Sequence, residues 1–193
     1  MPTPPKILAF AGSTREGSYN KQLLKLAAAA ASKAGGDVQV IDLRDFPLPI
    51  YDGDLESREG LPENARKLKQ LFISHQAILI SSPEYNSSVS GVLKNAIDWV
   101  SRPAPGEAPL AGFEGKVAGL LSTSPGALGG LRGLVQLRAI LGNIRVLVLP
   151  DQVAVSRANE AFDAEGRLKD PKLQASVEKL AEKLVDHVRK LAH

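Results

Sequence analysis

Between Ser81 and Arg102 the chain leaves a strand, displays a polar turn and enters a helix, and this order restricts the fold more than any other stretch. The residues before it, Ala77-Ile78-Leu79-Ile80, form a short apolar run without helical period, which reads as a buried strand. Pro83 stops that strand and keeps Ser82 extended. Glu84, Tyr85 and Asn86 then set an acid, an aromatic ring and a carboxamide side by side. Ser90 and Gly91 lead into a helix whose Val92, Leu93, Ala96, Ile97 and Val100 share one face. In an open α/β sheet, a strand that ends in such a loop and passes to a helix marks the edge where ligands bind.

The same alternation runs along the whole chain. Strands are expected at Lys6–Ala11, Val38–Leu43, Ala77–Ile80, Lys116–Ser122 and Arg145–Leu149, most of them apolar almost throughout, as suits strands buried on both faces. Helices are expected at Lys21–Lys33, at Glu63–His75, after Gly91, after Gly130 to about Leu141, and from Pro171 to the C-terminus. Arg44–Pro62 reads as a long surface loop, Pro103–Gly115 as an irregular excursion and Pro150–Asp170 as mostly loop. Five strands separated by helices or long connections imply a parallel, doubly wound α/β sheet. No repeat, low-complexity tract or linker divides residues 1–193, which read as one domain.

Composition narrows the chemistry. The chain has no cysteine, which removes disulfides, thiolate catalysis and cysteine-based metal centres together. A net charge of +3 is a normal mixed surface, and no basic run interleaved with aromatics points to nucleic acid. No apolar run approaches the length of a membrane span, and Met1-Pro2-Thr3-Pro4-Pro5 lacks a signal peptide's apolar core, so a cytoplasmic location away from membranes is expected. His75, His187 and His193 are scattered and read as surface residues, and no metal-ligand constellation is visible.

The loops leaving the first, third and fourth strands meet at one sheet edge, and all three are small and polar. In the first, Gly12 to Asn20, the Ser13, Thr14 and Ser18 hydroxyls, the Asn20 amide and Arg15 surround a helix N-terminus, an arrangement for a phosphate. The alternative is a helix merely capped by Ser18. Gly12 and Gly17 have Walker A spacing, but Ser18 and Tyr19 follow where the lysine is needed. Thr14 breaks the dinucleotide pattern G-x-G, so a monophosphate is the remaining fit. In the second loop, Tyr85 and Asn86 offer a flat face and polar edges for a planar heteroaromatic ring, or else a packed tyrosine and a turn former. In the third, Ser122 to Gly130, three glycines permit close ligand approach or simply a tight turn. A monophosphate joined to a planar ring with polar edges describes flavin mononucleotide (FMN).

These motifs resemble those of a known family. Gly12-Ser13-x-Arg15-x-x-Ser18-x-Asn20-x-x-Leu23, Pro83-Glu84-Tyr85-Asn86-x-Ser88 with Gly91-x-Leu93-Lys94-Asn95-Ala96-Ile97-Asp98-Trp99, and Ser124-Pro125-Gly126-x-x-Gly129-Gly130-x-Arg132 are similar to the NADPH-dependent FMN reductases. That flavodoxin-like group includes quinone and chromate reductases and related azoreductases. The resemblance implies a three-layer sandwich with strand order 2-1-3-4-5. It implies that Ser13, Arg15, Ser18, Tyr19 and Asn20 hold the FMN phosphate, that Pro83, Glu84, Tyr85 and Asn86 lie along the isoalloxazine, and that Ser122, Ser124 and Gly126 close the site. It also implies NADPH or NADH as hydride donor, a small-molecule electron acceptor, ping-pong turnover without a catalytic side chain, and a homodimer or homotetramer. Glu84 is expected to shape its loop or accept from a neighbour, and Trp99 to lie in the core. The family often has proline where Ser90 stands; here Ser90 is expected to cap the following helix. The alternatives are a flavodoxin-type electron carrier and a reductase that supplies free reduced FMN to a monooxygenase.

Overall fold

A computed structural model describes residues 3–191. In chain order its elements are β1 (Lys6–Ala11), α1 (Tyr19–Lys33), β2 (Asp37–Ile41), α2 (Gly53–Glu59), α3 (Glu63–Ser74), β3 (Ala77–Ser81), β4 (Glu84–Tyr85), β5 (Ser88–Val89), α4 (Gly91–Val100), β6 (Val117–Thr123), α5 (Leu131–Asn143), β7 (Leu147–Val155), α6 (Ala158–Ala161) and α7 (Pro171–Leu191). Five strands form a parallel sheet in the order β2-β1-β3-β6-β7, which by position is the expected 2-1-3-4-5 arrangement of a flavodoxin-like fold.

Alternate residues of each strand serve opposite layers, as the two-residue period of a strand requires. Ile7, Ala9 and Leu79 pack against α1 and α7 through Leu23, Ala27, Leu180 and Leu184. Leu8, Phe10, Ile78 and Ile80 face α3, α4 and α5 through Leu68, Phe72, Leu93, Ile97 and Leu134. A third cluster joins Trp99, fully buried, to Leu61 and Ala65, and the Trp99 Nε1–H donates to the Pro49 carbonyl at 2.8 Å.

The register brings the strand ends level. Ala11 stands opposite Ser81 on β1 and β3, and Ser81 opposite Leu121 on β3 and β6. The three polar loops therefore start from one edge. Among the described residues no helix is long and apolar enough to cross a membrane.

Three expectations are corrected. Arg44–Pro62 is not all loop: Asp42 accepts from Arg44 N to open a 3-10 turn at Leu43–Asp45, and Asp52 caps α2, which ends at Gly60 with φ 71°. The last sheet strand does not stop at Leu149 but continues to Val155, and a short helix, α6, follows. Pro150 is accommodated because β7 is an edge strand whose register against β6 shifts between Ala118 and Leu120. His75 is buried rather than on the surface, its Nδ1 at 2.6 Å from the Leu71 carbonyl at the end of α3. His187 is partly buried against the Lys183 carbonyl, and His193 lies outside the described residues.

Candidate functional site

The first loop is pinned before it opens. Gly12 N–H donates to the Ser81 carbonyl at 3.0 Å, and the Gly12 carbonyl accepts from Ser90 Oγ at 2.6 Å. Arg44 props the loop from outside, its Nε donating to the Thr14 carbonyl at 2.9 Å and its Nη1 to Glu16 at 2.6 Å. Sequence reasoning missed Arg44, because nothing local distinguishes it from a loop arginine.

Ser18 occupies the N-cap position of α1 with extended backbone, yet its hydroxyl caps nothing. The first helical hydrogen bond runs from Gln22 N to the Ser18 carbonyl at 3.2 Å. The N–H groups of Tyr19, Asn20 and Lys21 thus precede the helical ladder, where a helix end favours an anion. Arg15 makes no ion pair among the described residues; it donates to the Gly17 carbonyl at 2.9 Å and stands 5.8 Å over the Tyr19 ring. Tyr19 is itself stacked on Phe162 at 6.3 Å.

Asn20 is used differently from expectation. Its Oδ1 accepts from Ser81 Oγ at 3.0 Å and from Thr123 N at 3.1 Å, while Nδ2 donates to the Thr123 carbonyl at 2.8 Å. The side chain is buried and ties the start of α1 to the ends of β3 and β6, leaving one amide hydrogen uncommitted.

The second loop is a hairpin, β4 against β5, closed by Asn86 and Ser87 at φ 51° and 65°. Two left-handed residues in succession mark the twisted turn that suits tight hairpins. Tyr85 is 56% exposed, so it is not packed into a neighbouring element. Glu84 is committed to the start of α5: its carboxylate accepts from Arg132 N at 3.0 Å, Gly133 N at 3.2 Å and Arg132 Nε at 2.8 Å. Burial alone would push this carboxyl up, but the Arg132 guanidinium and the Gly133 and Arg132 N–H groups outweigh it and hold it below its ordinary value.

In the third loop, two glycines serve packing rather than a ligand. A Cβ on Gly130, at φ 89°, would lie 1.8 Å from Ser122 Oγ, and one on Gly129 would lie 2.6 Å from the Val155 carbonyl carbon. Gly126 has open space beside it, with only Ser124 Oγ within 4 Å at 3.6 Å. Ser122 is fully buried, and its hydroxyl has no partner among the described residues.

One cleft of about 220 Å³ gathers these parts. It is lined by Ser13, Arg15, Ser18, Tyr19 and Asn20 from the first loop, by Pro83, Glu84 and Tyr85 from the second, and by Thr123, Ser124 and Pro125 from the third. Asn86, Ser122 and Gly126 do not line it, whereas Thr123 and Pro125, which fall within the Ser122-to-Gly126 stretch expected to close the site, do. A larger recess of about 480 Å³ shares Ser18 and Tyr19 and runs out to Ala164–Gly166, but the hydroxyls, the bare helix end and the exposed ring converge in the smaller one. This donor set fits FMN: a phosphate bound here would find hydroxyls, N–H groups and Arg15, and a planar ring would find the exposed face of Tyr85.

Comparison with known proteins agrees. A family model described as NADPH-dependent FMN reductase matches residues 5–160. The chain is 37% identical over 187 residues to an NAD(P)H-dependent FMN reductase of Pseudomonas aeruginosa, covering 96% of each. It is 36% identical over 164 residues to a 2-hydroxy-1,4-benzoquinone reductase of Burkholderia sp, covering 84% of this chain and 85% of that one. Among solved structures, FerB, a flavoenzyme NAD(P)H:(acceptor) oxidoreductase from Paracoccus denitrificans, superposes with a TM-score of 0.81 at 29% identity, covering 96% and 98% of the two chains. The chain belongs to the NADPH-dependent FMN reductase family, and it is an oxidoreductase that works with FMN and a reduced nicotinamide.

Proposed function

We propose that this enzyme reduces quinone-type small molecules with NADPH or NADH, using FMN seated in the cleft described above. The observation that carries this reading is the junction of two ends. The uncapped start of α1, with Arg15 beside it, and the exposed face of Tyr85 open into one cleft. Ser13, Arg15, Ser18 and the first N–H groups of α1 hold the phosphate. Tyr19 backs Arg15, and Asn20 holds the helix end in place. Pro83, Tyr85 and the Asn86 turn follow the ring, and Thr123, Ser124 and Pro125 close the third side, with Ser122 and Gly126 behind them.

Bound FMN supplies the electron relay between nicotinamide and acceptor. The protein's own contribution is position. Glu84 is committed to Arg132 and the start of α5, so it is not a free acid or base. Donor and acceptor use the same open side in turn, which is ping-pong turnover. Quinones head the acceptors because relatives carry that name; azo compounds, free flavins and chromate follow. Leu128 in the third loop and Leu131 and Val135, one turn apart on α5, are also exposed, at 50%, 41% and 55%. These exposed apolar side chains support a second copy covering them, in a homodimer or homotetramer.

The test begins with the purified protein, which is yellow and releases FMN on denaturation. Stopped-flow reduction by NADPH and by NADH, then an acceptor panel, gives parallel initial-velocity lines with quinones fastest. A colourless protein that takes up no added FMN overturns the reading, and flavin that leaves during turnover marks a supplier of free reduced FMN instead.

A further inference from the structure

Ser90 joins the two halves of the cleft. Its hydroxyl carries one hydrogen and gives it to the Gly12 carbonyl at 2.6 Å, while the same oxygen accepts from Leu93 N at 3.3 Å. Capping α4 needs only the second of these bonds. Ser90 is 1% exposed, so water does not substitute for it. Gly12 is held on its other sides too. Its N–H goes to the Ser81 carbonyl at 3.0 Å, and a Cβ there would lie 3.0 Å from Leu93 Cδ2 and 3.3 Å from Pro83 Cδ. The first residue of the phosphate loop is therefore seated on the helix and the proline that carry the ring side. The Gly12–Ser13 peptide is planar and trans, so with its carbonyl drawn toward Ser90 the Ser13 N–H points the opposite way.

We propose that Ser90 is a positioning residue for the cofactor phosphate: by fixing the Gly12–Ser13 peptide against α4, it sets the first loop in its anion-binding form and couples the phosphate end of the cleft to the ring end. This rests on the reading of the first loop as the phosphate site.

Two variants remove the hydroxyl. Ser90→Ala removes it plainly, and Ser90→Pro removes it at a residue whose φ of −67° and ψ of 150° proline also adopts. FMN and riboflavin dissociation constants are measured on apoprotein by flavin fluorescence; riboflavin has the ring and ribityl chain but no phosphate. The ratio of riboflavin to FMN dissociation constants falls about three- to tenfold in both variants, the worth of roughly one hydrogen bond. Both affinities falling together, with the ratio at its wild-type value, would mean that Ser90 is only a helix cap and overturns the proposal. A wild-type ratio near unity removes the phosphate reading itself, a separate failure visible before any variant is made.

Discussion

Glu84 closes the start of α5 from across the chain, taking the Arg132 and Gly133 N–H groups at 3.0 and 3.2 Å and the Arg132 side chain at 2.8 Å. The β4–β5 hairpin and the start of α5 are thus one unit. Glu84→Gln keeps the shape and loses the charge, and should cost about 1–2 kcal/mol at neutral pH. The folded carboxyl sits below its ordinary value of 4.5, so its stabilisation is complete above that value and is lost as pH falls through the folded one. Urea denaturation at about pH 7 and about pH 3.5 should therefore show a smaller acid loss in the variant than in wild type. An identical loss in both proteins would count against this role.

Asn20→Ala removes three buried hydrogen bonds and strands the Thr123 N–H, the Thr123 carbonyl and the Ser81 hydroxyl. A stability loss of about 2–4 kcal/mol is expected, with weaker FMN retention as the helix start shifts. Denaturation of the apoprotein separates the two effects, since the structural loss persists without cofactor. Apoprotein as stable as wild type would refute the clamp.

Arg15→Ala should leave the apoprotein's stability almost unchanged, because the side chain's contacts are local, a bond to the Gly17 carbonyl and a position 5.8 Å over the Tyr19 ring. FMN affinity should fall by about 1.5–3 kcal/mol, roughly ten- to hundredfold, for one lost charge-assisted bond. Riboflavin affinity should barely move. Equal weakening of both flavins would place Arg15 elsewhere than on the phosphate.

Ser122→Ala deletes a fully buried hydroxyl with no partner among the described residues. Stability should hold or rise by up to about 1 kcal/mol, and FMN affinity should not change. Thermal unfolding with and without FMN checks both. Gly130→Ala is the contrasting case, since its φ of 89° and the 1.8 Å approach to Ser122 Oγ leave no room for a methyl group.

What could be read before folding follows from burial. Runs such as Ile7–Ala11 and Ala77–Ile80 are apolar because both faces are covered, and their strands stand where expected. Helix α2 buries no residue, so it leaves no apolar period, and its signal is the Asp52 cap alone. The second half of β7 hid behind Pro150, which an interior strand would reject but an irregular edge strand accepts. The hairpin was too short to show alternation, with two residues in each strand. At the site, loop chemistry and the family resemblance together named most of the residues that line the cleft, but they also named Asn86, Ser122 and Gly126, which do not, and they gave no side-chain directions. Asn20 and Ser122 face strand ends and packing, and no local pattern carries that.

The level strand ends have an evolutionary consequence. The bonds that hold the starts of the loops, at Gly12, Asn20 and Ser90, are buried in the sheet edge. Tyr85, at the tip of the hairpin, stands out in solvent. Substitutions in descendants of this chain can therefore accumulate at the exposed tip with the scaffold intact, whereas a change among the buried bonds disturbs every loop that starts from that edge.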